Sequence, residues 1–184
     1  MTTPHDISRR ALLVAAPFAL GASHAFAEAE SNVRHATIVL LRHAEKGDDD
    51  PRNPSLSEAG RARATRFAAL FARAGTPRLV ASEMKRTQQT LEPLAAASGA
   101  TIDVVPAADV DAWLRELRNG TSALTIAASH SNLVPKLAAG FGVTLRDLDA
   151  AGNLPETEFG RIVVLTVRRD DAGATAVAHV ELAI

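Results

Sequence analysis

Apolar and polar positions alternate along this chain in short blocks of two kinds. Ala36 to Leu41 is a β-branched and apolar run, too short for a helix and followed by charged residues, so it reads as a buried strand. Leu56-Ser57-Glu58-Ala59-Gly60 opens a helix with Ser57 as N-cap. Phe67, Leu70, Phe71 and Ala74 then recur at helical spacing and predict a core-facing stripe, with Arg61, Arg63 and Arg66 as the solvated face. Gly75-Thr76-Pro77 stops that helix, and Arg78 to Ser82 reads as a second strand. A helix starts at once, with Met84, Gln88, Leu91 and Ala95 as its predicted inward stripe, Leu94 beside them, and Pro93 as a place to kink or end. Thr101 to Val105 is a third strand, and Asp109 to Leu117 a short helix with Trp113, Leu114 and Leu117 inward. Leu124 to Ala128 is a fourth buried strand that closes on the polar cluster Ser129-His130-Ser131-Asn132. A helix to about Ala139 follows, tolerating Pro135 in its first turn. Phe141 to Phe159 is loop-rich, and Ile162 to Val167 and Ala174 to Leu182 are two final strands.

Strands that alternate with helices imply an α/β chain. The expected architecture is a three-layer sandwich: a mostly parallel central sheet, helices on both faces, and at least one late antiparallel strand. No internal repeat or long linker interrupts the pattern.

Composition narrows the function classes. A formal net charge of −1 over 184 residues gives no electrostatic argument for nucleic acid or an acidic membrane. The absence of cysteine rules out disulfides, thiolate metal sites and a thiol nucleophile. The N-terminus reads as an export signal over residues 1–27. Ser8-Arg9-Arg10 is a charged start, Ala11 to Leu20 an apolar run, and Ala25-Phe26-Ala27 a small-residue cleavage site. The Ser-Arg-Arg start resembles a twin-arginine signal, the expected route, with the charged start of an ordinary secretory signal as the alternative. Pro17 and the shortness of the run argue against a retained anchor. The expected mature protein is one domain, residues 28–184, exported and periplasmic, with no stable membrane insertion after processing.

The candidate chemistry sits where strands end. Ligands of open α/β sheets bind beyond the carboxyl ends of strands. Arg42-His43 follows the first strand, and His130 follows the fourth. Arg86 lies in the first turn of the helix after the second strand, where a cation is mildly unfavourable unless an anion is bound. Taken singly, each has a bland explanation: a strand end facing water, a surface Arg reaching a carboxylate, a satisfied core His. Together, two Arg and two His around one crevice make a site for a tetrahedral oxyanion, with a guanidinium able to grip two oxygens at once. A metal hydrolase built on His43, Glu45 and Asp48 to Asp50 has poor ligand spacing and no H-E-x-x-H pair. Ser129 lacks the glycines of a nucleophile elbow, and no phosphate-binding or dinucleotide glycine pattern is present.

Four motifs occur in order: Arg42-His43-Ala44-Glu45-Lys46, Leu56-Ser57-Glu58-Ala59-Gly60, the segment from Ser82 to Thr90, and Ser129-His130-Ser131-Asn132. In this order they resemble the histidine phosphatase superfamily, of phosphoglycerate mutase-like fold, and most closely its small phosphatases, the phosphohistidine phosphatase group among them. The resemblance spans about Ala36 to Val167. It implies that His43 attacks phosphorus and carries a phosphohistidine, that Arg42, Arg86 and His130 hold the phosphoryl oxygens, and that neither metal nor other cofactor is needed. It implies a small phosphorylated substrate or a phosphopeptide, and no nucleic acid. Family members that cleave alkyl phosphates carry an acid after the third strand. Asp109 is the preferred candidate here, with Asp111 and Asp103 as alternatives and a helix N-cap as the competing role for Asp109. Lys46 is a further candidate donor. Asp48, Asp49 and Asp50 belong to the loop Gly47 to Ser55, read either as a solvated turn or as a wall of the site entrance. The competing functional reading is an exported phospho-ligand binding protein on the same fold without turnover.

Overall fold

A computed structural model describes residues 33–184, so the expected export signal and its cleavage site lie outside the described residues. In chain order the elements are β1 (Arg34–Arg42), α1 (Glu58–Leu70), β2 (Arg78–Ala81), α2 (Lys85–Ser98), β3 (Ile102–Val104), α3 (Val110–Asn119), β4 (Leu124–Ser129), α4 (Val134–Gly140), β5 (Arg161–Asp170) and β6 (Gly173–Ala183). The sheet order is β3-β2-β4-β1-β5-β6. β1 to β4 run parallel through the β1/β4, β2/β4 and β2/β3 pairs, while β5 is antiparallel to β1 and β6 to β5. The expected mostly parallel sheet with a late antiparallel part is what forms.

Successive side chains of a strand point to opposite faces, and β1 feeds both. Ile38 and Leu40 join Trp113 and Leu117 of α3 and Leu137 of α4 in one core. Val39 and Leu41 join Phe67 of α1 and Leu91 and Leu94 of α2 in the other. A strand covered on both faces reads as a continuous apolar run, which is why β1 and β4 stand out in the sequence.

Two helix stripes differ from expectation. In α1, Ser57 is the N-cap, its hydroxyl accepting from the Gly60 amide at 3.1 Å. Its buried side is Gly60, Ala64, Phe67 and Ala68, while Leu70 is 57% exposed. Gly60 sets that phase: a Cβ there would lie 2.2 Å from the Glu45 carbonyl oxygen, so the first turn is pressed against the backbone that leaves β1. Any side chain would force the two segments apart, an overpacking that costs about 1–3 kcal/mol. In α2 the buried residues are Thr87, Thr90, Leu91 and Leu94, not Met84 or Gln88. Hydroxyls take the inward positions because they bond the loops of the crevice. The helix continues through Pro93 and ends on Gly99, whose φ of 69° suits a residue without Cβ.

Strand boundaries moved for a topological reason. β1 begins at Arg34 because the long β5 continues beside it, pairing Arg34 with Arg169 and His35 with Arg168. β3 shrinks to Ile102–Val104 because it is an edge strand bonded on one side only, and Val104 is 51% exposed.

Candidate active site

β1 and β4 are parallel neighbours that end together, with Arg42 opposite Ser129. One more bond continues the ladder past the strand, from the His43 amide to the Ser129 carbonyl at 2.9 Å. That register puts His43 and His130 side by side, their rings edge to face with centroids 5.4 Å apart. β2 lies on the other side of β4 and delivers Ser82 and the start of α2 to the same edge. The structure thus gathers His43, His130, Arg42 and Arg86 at one end of the sheet.

His43 is buried, and its Nδ1 lies 2.8 Å from the Ala44 carbonyl oxygen. A carbonyl can only accept, so Nδ1 donates and Nε2 bears the lone pair. Its pKa is pushed down to about 3, chiefly by burial, with the nearby charges of Arg86, His130 and Arg42 adding to the effect against the Ala44 bond. His130 is pushed down to about 4, again by burial first, then by Arg86. Its Nε2 lies 2.9 Å from the Ser82 hydroxyl, which lies 2.8 Å from that of Thr87. Thr87 in turn reaches the Ser82 and Met84 carbonyls, so the hydroxyl chain is anchored to backbone.

The segment after His43 is clamped by both helices of one face. The Ala44 amide donates to the Thr90 hydroxyl of α2 at 3.0 Å, and Thr90 donates to the Arg86 carbonyl at 2.7 Å. Glu45 is held by Arg63 of α1 through Nε and Nη2, which keeps its carboxyl below the usual range. Arg63 is therefore not part of a solvated face, as its spacing suggested. It is the charged half of the clamp.

The arginines differ. Arg86 makes no side-chain hydrogen bond or ion pair among the described residues, and its buried Nε has no partner. Its charge depresses both histidines. Arg42 is committed to the segment before β5. Its Nη1 donates to the carbonyls of Pro155 and Glu156 at 3.0 Å each and of Glu158 at 3.4 Å, and its Nη2 to the Glu156 carboxylate at 3.0 Å. The Phe159 ring lies 4.2 Å from its Cζ. Its buried Nε is unpaired and its Nη2 makes one bond of the two it can donate, so Arg42 keeps the Nε side of its guanidinium for an oxyanion. Both orphaned Nε groups fit a tetrahedral oxyanion, because a buried donor without an acceptor is costly.

The remaining candidates stand apart. Lys46 is exposed and pairs through its backbone with Leu56. Asp109 is the N-cap of α3, its carboxylate accepting from the Ala112 amide at 2.8 Å, and no hydrogen bond or ion pair joins it to His43, Arg86 or His130 among the described residues. Asp111 is exposed in the first turn of α3, and Asp103 is paired with Arg78 at 2.9 Å. Asp49 and Asp50 cap amides of their own loop, at Ser55 and at Arg52 and Asn53. Glu83 and Glu156 were not among the sequence candidates. Glu83 had a signal, its place beside Ser82 in the third motif, whereas Glu156 lies in a loop without one. Among the described residues no group of three or more His, Asp or Glu side chains could hold a metal ion.

The model of the histidine phosphatase superfamily, branch 1, matches residues 38–133, a span that holds Arg42, His43, Arg86 and His130. The chain belongs to the histidine phosphatase superfamily. No curated protein sequence matches it. Solved structures support the same fold for this superfamily member. The protein histidine phosphatase SixA complexed with tungstate is 21% identical with a TM-score of 0.57, covering 78% of this chain and 95% of its own. A protein described as a phosphohistidine phosphatase SixA from Nakamurella multipartitia is 21% identical with a TM-score of 0.53, covering 80% and 96%. A phosphoserine phosphatase from Entamoeba histolytica, in complex with 3-phosphoglyceric acid, is 12% identical with a TM-score of 0.53, covering 78% and 96%.

Burial of the two histidines of this superfamily member makes its stability sensitive to acid. Unfolded, each imidazole titrates near 6.5, whereas folded His43 does so at about 3 and His130 at about 4. Between these values the unfolded chain binds more protons, so stability falls as pH drops below about 6.5. One such imidazole accounts for about 2 kcal/mol at pH 5. His43→Asn should therefore narrow the gap between urea midpoints measured at pH 7.5 and pH 5. An unchanged gap would mean that His43 titrates freely in the folded protein.

Proposed function

We propose that this chain is a metal-independent phosphatase that hydrolyses a phosphomonoester or a phosphoramidate through a phosphohistidine on His43. The observation that carries this reading is the state of His43: buried, neutral, its Nδ1 proton committed to the Ala44 carbonyl and its Nε2 lone pair unshared. In the first step Nε2 forms a bond to phosphorus while the bond from phosphorus to the leaving oxygen or nitrogen breaks, and the leaving group takes a proton. Arg86, the Nε of Arg42 and His130 hold the phosphoryl oxygens and stabilise their charge in the transition state. In the second step water attacks phosphorus, loses a proton, and the bond to Nε2 breaks to release phosphate. Burial chiefly keeps His43 neutral, and the cations that add to that effect are the ones that bind its target, so a single arrangement serves both purposes.

His43→Ala should abolish turnover of labelled substrate yet leave tungstate binding largely in place. Arg86→Ala should weaken both, with a rate loss of about 10²–10³-fold. Rapid quench and peptide mapping under alkaline conditions should place the label on His43; a label elsewhere, or activity in His43→Ala, would overturn the mechanism. Binding without turnover in the wild type would instead favour an exported phospho-ligand binding protein.

Asp109 is proposed as the proton donor to alkyl leaving groups, on the strength of its place between β3 and α3. Asn is as good an N-cap as Asp, so Asp109→Asn separates the two roles. Expected are unchanged thermal stability, a loss of roughly 10²–10⁴-fold on alkyl phosphates, and little change on aryl phosphates. Equal rates on both in variant and wild type would leave the residue as a cap alone.

The pattern over residues 1–27 supports a periplasmic location, by a twin-arginine or an ordinary secretory route. N-terminal sequencing of protein from the periplasm should begin at or near Glu28. Full-length chain confined to the cytoplasm would refute export.

A further inference from the structure

We infer that Glu83 and Glu156 form a carboxylate rim that selects substrates by the charge of the leaving group: neutral or cationic carriers of the phosphoryl group are accepted, and carriers with a second anionic group are disfavoured. The inference rests on the phosphatase reading above and names the substrate class of that site.

Glu156 approaches from solvent. Its side chain is 77% exposed, yet it reaches the guanidinium of Arg42, whose own side chain is 4% exposed, at 3.0 Å. It therefore stands on the solvent side of the oxyanion donors. Glu83 stands beside the other histidine. It directly follows Ser82, whose hydroxyl meets His130, and its Oε2 is tethered by the Ala107 amide at 2.8 Å. Its charge raises the affinity of both Arg86 and His130 for protons, so it acts on the crevice through space. A leaving group that emerges from the crevice thus meets negative charge on two sides.

Apart from the exposed Lys46, the cations near the crevice are already engaged. Arg63 is paired with Glu45 and the Lys85 amine lies 4.0 Å from Asp50, while Arg42 is buried beneath Glu156, so that the carboxylate and not the guanidinium of that pair faces solvent. Arg86 is required by the reacting phosphoryl group. A second phosphate or a carboxylate on the substrate would meet repulsion without a compensating guanidinium, whereas an ammonium group would gain from the same two carboxylates. Like-charge repulsion at a partly solvated distance is worth about one to three factors of ten and weakens with added salt.

The test compares kcat/KM of the full chain for phosphocholine, 4-nitrophenyl phosphate and 3-phosphoglycerate at low and high ionic strength. Expected is a preference for phosphocholine over 3-phosphoglycerate of at least about tenfold, reduced at high salt. The double variant Glu83→Gln/Glu156→Gln should shrink that ratio to within about threefold, mainly through a lower KM for 3-phosphoglycerate. Each single variant should shrink it in part, and Glu156→Asp should restore the wild-type ratio more fully than Glu156→Gln. Turnover with an unchanged ratio in the double variant overturns the rim while leaving the phosphatase reading intact. A wild type that favours 3-phosphoglycerate, and loses that preference in Lys46→Ala, also overturns it. Absence of both turnover and tungstate binding in the wild type overturns the two readings together.

Discussion

The parallel pairing of β1 with β4 is the constraint on which the site depends. A parallel ladder holds its register over its whole length, so fixing Thr37 opposite Leu124 at one end also fixes Arg42 opposite Ser129 at the other. The bond from the His43 amide to Ser129 then carries the register one residue beyond the strand. His43 and His130 are consequently neighbours because of backbone geometry, not through any contact between their own side chains. A slip of one residue in either strand would turn that strand over relative to its partner and send the histidines to opposite faces.

Burial and charge act in one direction at this edge. Desolvation disfavours a charged imidazole, and the nearby guanidinium groups disfavour it further. The penalty for burying cations is met unequally. Arg42 is satisfied by three carbonyls, a carboxylate and an aromatic face, and so acts largely as part of the wall. Arg86 makes no side-chain hydrogen bond or ion pair among the described residues, so all of its donors remain unpaired. Two arginines of the same type thus do different work because one lies beneath a loop and the other at the open start of α2.

The helices contribute more than cover. Gly60 lets α1 press on the Glu45 backbone, Arg63 grips the Glu45 carboxylate, and Thr90 of α2 takes the Ala44 amide. These contacts hold the residues just after His43, where a loop would otherwise drift and take the imidazole with it. They also explain two departures from helical patterning. A glycine in the first turn and threonines on an inward stripe are poor choices for a core, and good ones for a helix that packs against a polar loop.

Much of this was legible in the sequence. Strand and helix order, the Ser57 cap, the strand-end positions of Arg42, His43 and His130, and the first-turn position of Arg86 follow from hydrophobic period and local chemistry, which depend on neighbours in the chain. Asp109 as an N-cap was equally readable, because a cap acts on an amide three residues away. What could not be read depends on partners distant in sequence. Leu70 turned outward because Gly60 fixed the face of α1 against Glu45, and Arg63 turned inward to the same residue. Arg42 gave its Nη1 to carbonyls more than a hundred residues away, and Glu156, unremarkable in its loop, came to stand over it. Local pattern determines which elements form and which residues lie at their ends. Only packing decides which donors remain free there, because that depends on what the rest of the chain has already bonded.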